Sequence, residues 1–229
     1  MYPETCKSFV AIDCIIFGFD GEDVKLLLIH RGFEPLKDQW SLMGGFIEAT
    51  ESPDEAAIRV LKKLTGLEDV YMEQMDVFGN PNRDPYARTV SICYFALIDI
   101  QKYKHQIIND YRAAWFSLTE VPKLIFDHND MVAAARNRLK YKAALHPILF
   151  ELLPDKFTIP QIVSLYEGVY DIILDKRNFN RKLISTKLLV KTSEKDKLNS
   201  KKGAYYFKLN ADIYKEKFST FINFIPNPN

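Results

Sequence analysis

Apolar and polar positions follow two different periods along this chain, and each period marks its own kind of element. Residues 7–19 and 24–31 are apolar and rich in β-branched side chains, with Asp20 and Gly21 as a turn signal between them. They predict a pair of strands. Residues 40–46 predict a short extended piece entering a turn at Gly44 and Gly45. A helix follows. Ser52 is placed to cap it, Pro53 takes its first position, Ala56, Val60 and Leu64 (with Ala57 and Leu61) recur at helical spacing, and Gly66 stops it. Residues 70–78, 89–98 and 114–118 read as further strands, and residues 131–145, with five alanines and several basic side chains, as a connecting helix. This part of the chain is α+β, a mixed sheet with helices.

Past residue 150 the pattern changes. Thr158-Ile159-Pro160-Gln161 combines a threonine N-cap, an early proline and a glutamine three residues on, the signature of a capping box. Its helix carries Ile162, Leu165, Tyr166 and Val169 on one face. A second helix starts after Asp175 and runs KRNFNRKLIST, with Phe179 and Leu183 giving it an inward face. Residues 188–192 and 205–209 then read as strands joined by the lysine-rich stretch SEKDKLNSKKG. Helix, turn, helix and basic β-hairpin together make a winged helix-turn-helix.

Charge sharpens this division. The net charge is only +1, yet residues 1–150 hold 17 Lys and Arg against 21 Asp and Glu, and residues 151–229 hold 14 against 9. Within residues 176–208, 11 basic side chains face two acids, Glu194 and Asp196. Such segregation predicts two modules with different partners, residues 1–150 and 151–229. With Phe179 and Leu183 inward, Arg177, Asn178, Arg181 and Ser185 face outward. Arginine can read guanine and asparagine adenine in a major groove. Lys176, Asn180 and Lys182 of the same helix join the candidate DNA contacts. Lys195, Lys197, Lys201 and Lys202 of the hairpin would neutralise phosphates.

Other classes are disfavoured. No apolar run reaches the roughly 20 residues of a membrane span, and Asp13 interrupts the most apolar early stretch. The opening MYPETCKSF lacks the basic-then-apolar layout of a secretory signal. Three cysteines, an odd number without a C-x-x-C pair, predict reduced thiols used for packing in a cytoplasm. The four histidines are scattered rather than paired, so no metal site and no cofactor is expected.

The stretch WSLMGGFIEATES with the helix behind it resembles the Nudix box: Gly, five residues, Glu, seven residues, then Arg-Glu-apolar-x-Glu-Glu-x-Gly-apolar. Gly45, Glu51, Arg59, Gly66 and Leu67 fall in register. Trp115-Phe116 and Glu120-Val121-Pro122 downstream are also similar to Nudix proteins. In active members the glutamates of the Arg-Glu-apolar-x-Glu-Glu run bind magnesium. Those positions are Val60, Lys63 and Leu64 here. Three carboxylates on one helix face would cage a hard cation. Two alkyl groups supply no ligand, and an ammonium repels the metal by about 1 kcal/mol at about 4 Å even in water. Without metal, pyrophosphate and water both lose their activation. No catalytic residue is therefore assigned. Glu51 and Arg59 survive as the loop-to-helix ion pair the family uses. A hydrolase working through displaced carboxylates (Glu48, Glu51, Asp54, Glu55) is the alternative.

The segment FGNPNRDPYARTVS resembles ADP-ribose-type Nudix domains and the Nudix-related transcriptional regulators, the NrtR-like family. DKRNFNRKL in the second helix of the basic module is similar to that family's C-terminal helix. The resemblance spans nearly the whole chain. It implies a Nudix-like sensor domain fused to a winged helix, acting as a homodimer on palindromic double-stranded DNA. It marks Gly44, Gly45, Glu48, Glu51, Arg83, Asp84 and Arg88 as candidates for an effector cup. The family's effectors include ADP-ribose and, in a sugar-responsive branch, pentoses such as arabinose. A site that cannot hold metal favours the neutral sugar. A working Nudix hydrolase with an accessory nucleic-acid-binding tail is the rival reading.

Overall fold

The computed structural model describes residue 3 and residues 6–107, 111–197 and 203–219. Its spine is β1 (Phe9–Phe19), which pairs in parallel with β6 (Thr89–Asp99) along its whole length, from Phe9↔Thr89 to Phe19↔Asp99. The opposite edge of β1 is shared. Its first half pairs antiparallel with β4 (Met43–Phe46), and its second half with β2 (Val24–His30). Both β3 (Trp40–Ser41) and β7 (Ala113–Ser117) pair with β2, and β5 (Tyr71–Phe78) pairs antiparallel with β6, closing a 7-stranded mixed sheet.

Alternation along β1 sorts its side chains between two cores. Ile12, Cys14 and Ile16 join Val60, Leu61 and Leu64 of α1 (Pro53–Thr65) on one face. Ile15, Phe17 and Phe19 pack on the other face with Met131, Ala135 and Leu139 of α3 (His128–Leu145). A strand covered on both sides must be apolar at nearly every position, which is why residues 9–19 read as a nearly continuous hydrophobic run. Asp13 is the exception: it shares the α3 side with Ile15, is 5% exposed, and needs polar partners there.

The capping chemistry of α1 follows the sequence closely. Ser52 accepts from the Glu55 amide, Glu55 reaches back to the Ser52 amide, and Gly66 closes the helix in the left-handed conformation at φ 78°. Gly44 and Gly45 do not form the expected turn. They lie within β4, paired to Asp13 and Ile12. A Cβ on Gly44 would stand 2.4 Å from Asp13 Oδ1, and one on Gly45 would stand 2.9 Å from Val60 Cγ2. The glycines therefore serve close approach on the two faces of the sheet. A short helix, α2 (Ile100–Tyr103), follows β6 and was not anticipated, and α3 begins three residues before the expected start at Met131.

The second module is built around α4 (Ile159–Tyr170), whose capping box joins Thr158 and Gln161 as expected, and α5 (Lys176–Ser185), capped by Asp175. Its sheet has a third strand that the sequence did not reveal. β8 (Phe157–Thr158) pairs with β10 (Ala204–Leu209), which pairs with β9 (Leu189–Asp196). A further helix, α6 (Ala211–Ser219), also escaped the pattern. The expected division after residue 150 falls inside a 3-10 helix, Ile148–Leu152, and one apolar cluster continues through it. That cluster takes in Leu165 and Leu183 beyond the junction as well as Phe17 and Phe95 before it. Among the described residues, no helix is long and apolar enough to cross a membrane.

Candidate functional site

A cavity of about 250 Å³ opens where β1, β4 and the start of α3 meet. Its floor is the carboxylate of Asp13, which the missing Cβ of Gly44 leaves uncovered. Ser91 Oγ donates to Asp13 Oδ2 at 2.6 Å, and His128 Nε2 stands 3.6 Å from Oδ1. The backbone N–H of Leu42 donates to His128 Nδ1 at 3.2 Å. That bond leaves Nδ1 unprotonated, so the neutral imidazole carries its proton on Nε2, facing Asp13. Arg83 forms the adjoining wall. It donates to both Asp127 oxygens, at 2.9 and 2.7 Å, and lies 3.8 Å from Asp13 Oδ2. Phe33, Phe46 and Phe126 supply aromatic surface, and Arg31 stacks over Phe33 at 4.3 Å from the ring centre.

Three carboxylates, Asp13, Glu34 and Asp84, thus line the cup against two guanidiniums, Arg31 and Arg83, of which Arg83 is already engaged by Asp127. Burial holds the pKa of His128 below its ordinary value, with Asp13 opposing that effect. A histidine kept neutral by the fold contributes stability that is complete above the unfolded value, about 6.5. That contribution is lost as the pH falls toward the lower folded pKa. Urea midpoints should therefore decline from pH 7 to pH 5 in the wild type. They should decline less in His128→Gln; parallel declines would refute the assignment.

The candidate effector residues divide. Gly44, Gly45, Arg83 and Asp84 line the cup; Glu48, Glu51 and Arg88 do not. Glu51 clamps the loop to α1, accepting from Arg59 Nε at 2.8 Å and Nη2 at 2.5 Å, and also from the Glu48 amide at 2.7 Å. The Arg59 guanidinium holds the Glu51 carboxyl down at about 2. Glu48 follows at 3.6 Å from Arg59 Nη1. Arg88 is exposed and donates to the Thr89 carbonyl. Sequence reasoning missed Asp13, Arg31, Phe126, Asp127 and His128. The one available signal was a lone carboxylate inside an apolar strand.

At the positions that the resemblance assigns to metal-binding glutamates, Val60 and Leu64 are buried in the core under α1 and Lys63 is exposed. The carboxylates nearby are committed elsewhere: Tyr94 donates to Asp54 at 2.5 Å, and Glu55 caps Ser52. Among the described residues, no three His, Cys, Asp or Glu side chains converge on a point that could hold a metal ion. Cys14 and Cys93 are buried, and burial raises both thiol pKa values well above the ordinary range.

On the second module, Phe179 packs against Tyr166 with ring centres 5.1 Å apart, and Leu183 is buried, so among the described residues the opposite side of α5 is exposed. Arg177, Arg181 and Ser185 form an exposed stripe at spacings of four, flanked by exposed Lys176 and Lys182. Asn178 is half-buried and accepts from Arg181 Nη2 at 3.0 Å. Asn180 departs from expectation: it is half-buried, with Oδ1 buried and unbonded, so it faces the protein rather than the stripe. Lys195 and Lys197 are exposed on the wing, while Lys201 and Lys202 lie outside the described residues. Lys191, missed in the sequence, reaches Tyr205 with its ammonium 3.6 Å from the ring centre; Lys195 does so at 4.5 Å. The irregular register between Tyr205 and Phe207 brings both lysines to one ring.

Fold and sites together define a class, a Nudix-type domain joined to a winged helix. Residues 7–135 match the NUDIX domain, and residues 149–209 match the NrtR DNA-binding winged helix domain. The chain belongs to the NrtR-like family of transcriptional regulators, in which these two domains are fused. It is 30% identical over 227 residues to the ADPR responsive transcriptional repressor NtrR of Acinetobacter baylyi, covering 97% of this chain and 89% of that protein. Shewanella oneidensis NrtR complexed with a 27mer DNA superposes with a TM-score of 0.78, at 28% identity, over 90% of this chain and 95% of that one. The Nudix domain of the same protein, complexed with ADP ribose, gives a TM-score of 0.53 at 31% identity over 61% of this chain and 94% of that one. An ADP-ribose pyrophosphatase of Methanocaldococcus jannaschii is 36% identical over 124 residues, 54% of this chain and 70% of that protein.

Proposed function

We propose that the chain is a cytoplasmic transcriptional repressor that binds a palindromic operator as a homodimer. Its winged helix contacts the DNA, and its Nudix domain senses a small neutral polyol of the pentose class without hydrolysing it. The observation that carries the effector is the wall of the cup. Carboxylates outnumber guanidiniums there, and Asp127 already engages Nε and Nη2 of Arg83. Sugar hydroxyls donate to carboxylates, and the apolar face of a sugar ring lies on aromatic side chains such as Phe33, Phe46 and Phe126. A pyrophosphate would bring two negative charges to a site with no uncommitted cation beyond Arg31, whose field falls on Asp13 and Glu34.

ADP-ribose is the second reading, and one feature favours it. An open hollow of about 670 Å³ adjoins the cup across Arg83 and Phe126, roomy enough for a nucleotide. The names of the Acinetobacter and Shewanella relatives point the same way.

Thermal melts with L-arabinose, D-xylose, D-ribose and ADP-ribose separate the two. A ligand at 100 times its Kd stabilises the native state by about 2.7 kcal/mol. A shift with a pentose, together with changed operator affinity, is the expected result. A shift with ADP-ribose alone would replace the pentose reading. The lack of catalysis is tested alongside: with Val60, Lys63 and Leu64 at the glutamate positions, magnesium should support no turnover of ADP-ribose above background. Turnover abolished by EDTA would overturn the sensor-only reading.

A further inference from the structure

Helix α3 starts at the cup and ends at the winged helix. Phe126, Asp127 and His128 at its start are respectively a wall of the cup, the partner of Arg83 and the neighbour of Asp13. Phe126 adopts φ 49°, a left-handed conformation rare for a bulky side chain, with His128 at 5.9 Å and Tyr86 at 6.5 Å between ring centres. Twelve residues on from His128, about 18 Å away along a helix rising about 1.5 Å per residue, Lys140 lies where α3 meets α4. There the hydroxyl of Tyr170 donates to the Lys140 carbonyl at 2.9 Å. Tyr170 stacks on Tyr166 with rings 6.2 Å apart and 10° from parallel, and Tyr166 packs on Phe179 of α5. Lys142 is tied to the sheet by an ion pair with Glu73, which also accepts from Tyr71 at 2.7 Å.

We propose that α3 transmits occupancy of the cup to the DNA-facing helix, with the Tyr170–Lys140 hydrogen bond and the Tyr170–Tyr166–Phe179 ring contacts as its coupling to α5. The proposal rests on the reading of the cup as an effector site. A ligand that reaches Asp13 lies against His128, Arg83 and Phe126, which line the cup around that carboxylate, so its contacts bear on them. Each is at the first turn of α3 or is bonded to it. A packed helix moves as a body rather than bending locally, so a shift at its first turn reaches Lys140. The phenolic hydrogen bond grips the backbone itself, and the stacked tyrosines pass the displacement to the inward face of α5. Tyr166, Tyr170 and Phe179 are positioning residues: none lines the cup, and Phe179 lies opposite the Arg177–Arg181 stripe.

Contiguity becomes coupling only when both ends bias one equilibrium, so the test reads both ends. Hydrogen exchange is followed at residues 126–131 and 176–185 of the full chain, with L-arabinose, D-xylose, D-ribose or ADP-ribose, and separately with a duplex enriched from a random library on the wild-type protein. The wild type should respond at both segments. Its DNA affinity should change on ligand binding by about 5-fold or more, the usual span of allosteric coupling. Tyr170→Phe keeps the stacked ring and loses only the hydroxyl. It should bind ligand and DNA as the wild type does, while the ligand effect on DNA falls below about 2-fold. Tyr166→Leu, broken one contact further along, should behave alike. Full coupling in both variants overturns the relay. If no compound protects the cup of the wild type, the effector reading falls and the relay is judged from the DNA side. Reciprocity then requires the duplex to alter exchange at residues 126–131 in the wild type and not in Tyr170→Phe. Silence there overturns the relay too.

Discussion

Asp127→Ala should lower the unfolding free energy by about 3–5 kcal/mol, the usual cost of stripping one partner from a buried ion pair. The Arg83 side chain is 3% exposed, and two of its donors are held by Asp127 alone. Asp13 cannot substitute, since it stands 3.8 Å away and its nearer oxygen already accepts from Ser91. Alanine would leave a buried guanidinium with two donors unpaired and only the more distant Asp13 carboxylate beside it. Removing that charge as well should undo most of the damage: Arg83→Met with Asp127→Ala should fall within about 1–2 kcal/mol of the wild type, because replacing a buried pair by apolar groups is often near neutral. Urea unfolding followed by circular dichroism measures both, with an unchanged denaturant slope showing that the native state stays compact. If the double variant is as unstable as the single one, the loss lies in packing around residue 127 rather than in the charge.

Arg181→Ala should weaken operator binding by about 1–3 kcal/mol, or about 5- to 150-fold, and relax preference at one base pair. Arg181 stands mid-stripe on α5, and its bond to Asn178 Oδ1 at 3.0 Å presets the guanidinium before DNA arrives. Random duplex should lose far less. Lys195→Ala gives the contrasting signature. If its ammonium, held over Tyr205, contacts phosphates as proposed, affinity for all duplexes should fall together and the salt dependence should flatten by about one unit. Fluorescence anisotropy at several salt concentrations separates the two. Equal losses on operator and random DNA for Arg181→Ala would remove it from base reading.

Local chemistry was legible wherever a residue's partner lies within a turn of it. Ser52, Pro53 and Gly66 bound α1, the Thr158–Gln161 box opens α4 and Asp175 opens α5, because caps act over two to four residues. The inward pair Phe179 and Leu183, and the opposing Arg177 and Arg181, followed from helical spacing alone. The pairing of Glu51 with Arg59 came instead from the resemblance to the Nudix box, and the structure has that ion pair. The short strand β8 and helices α2 and α6 escaped, being too brief or too weakly patterned to show a period.

The cup was different. Asp13, Leu42, Arg83, Asp127 and His128 are scattered over more than a hundred positions and meet only because β1 runs beside both β4 and β6 while α3 starts over the same strand. Nothing local distinguishes a glutamate that lines a pocket from one that clamps a loop, so Glu48 and Glu51 were assigned to the cup and Asp13 was passed over. The sequence by itself determined helices α1, α4 and α5 with their caps and the basic face of α5, since each depends on neighbours within a few residues. Only the tertiary structure decided which charges are buried together, because burial and pairing are properties of the packed sheet and not of the spacing along the chain.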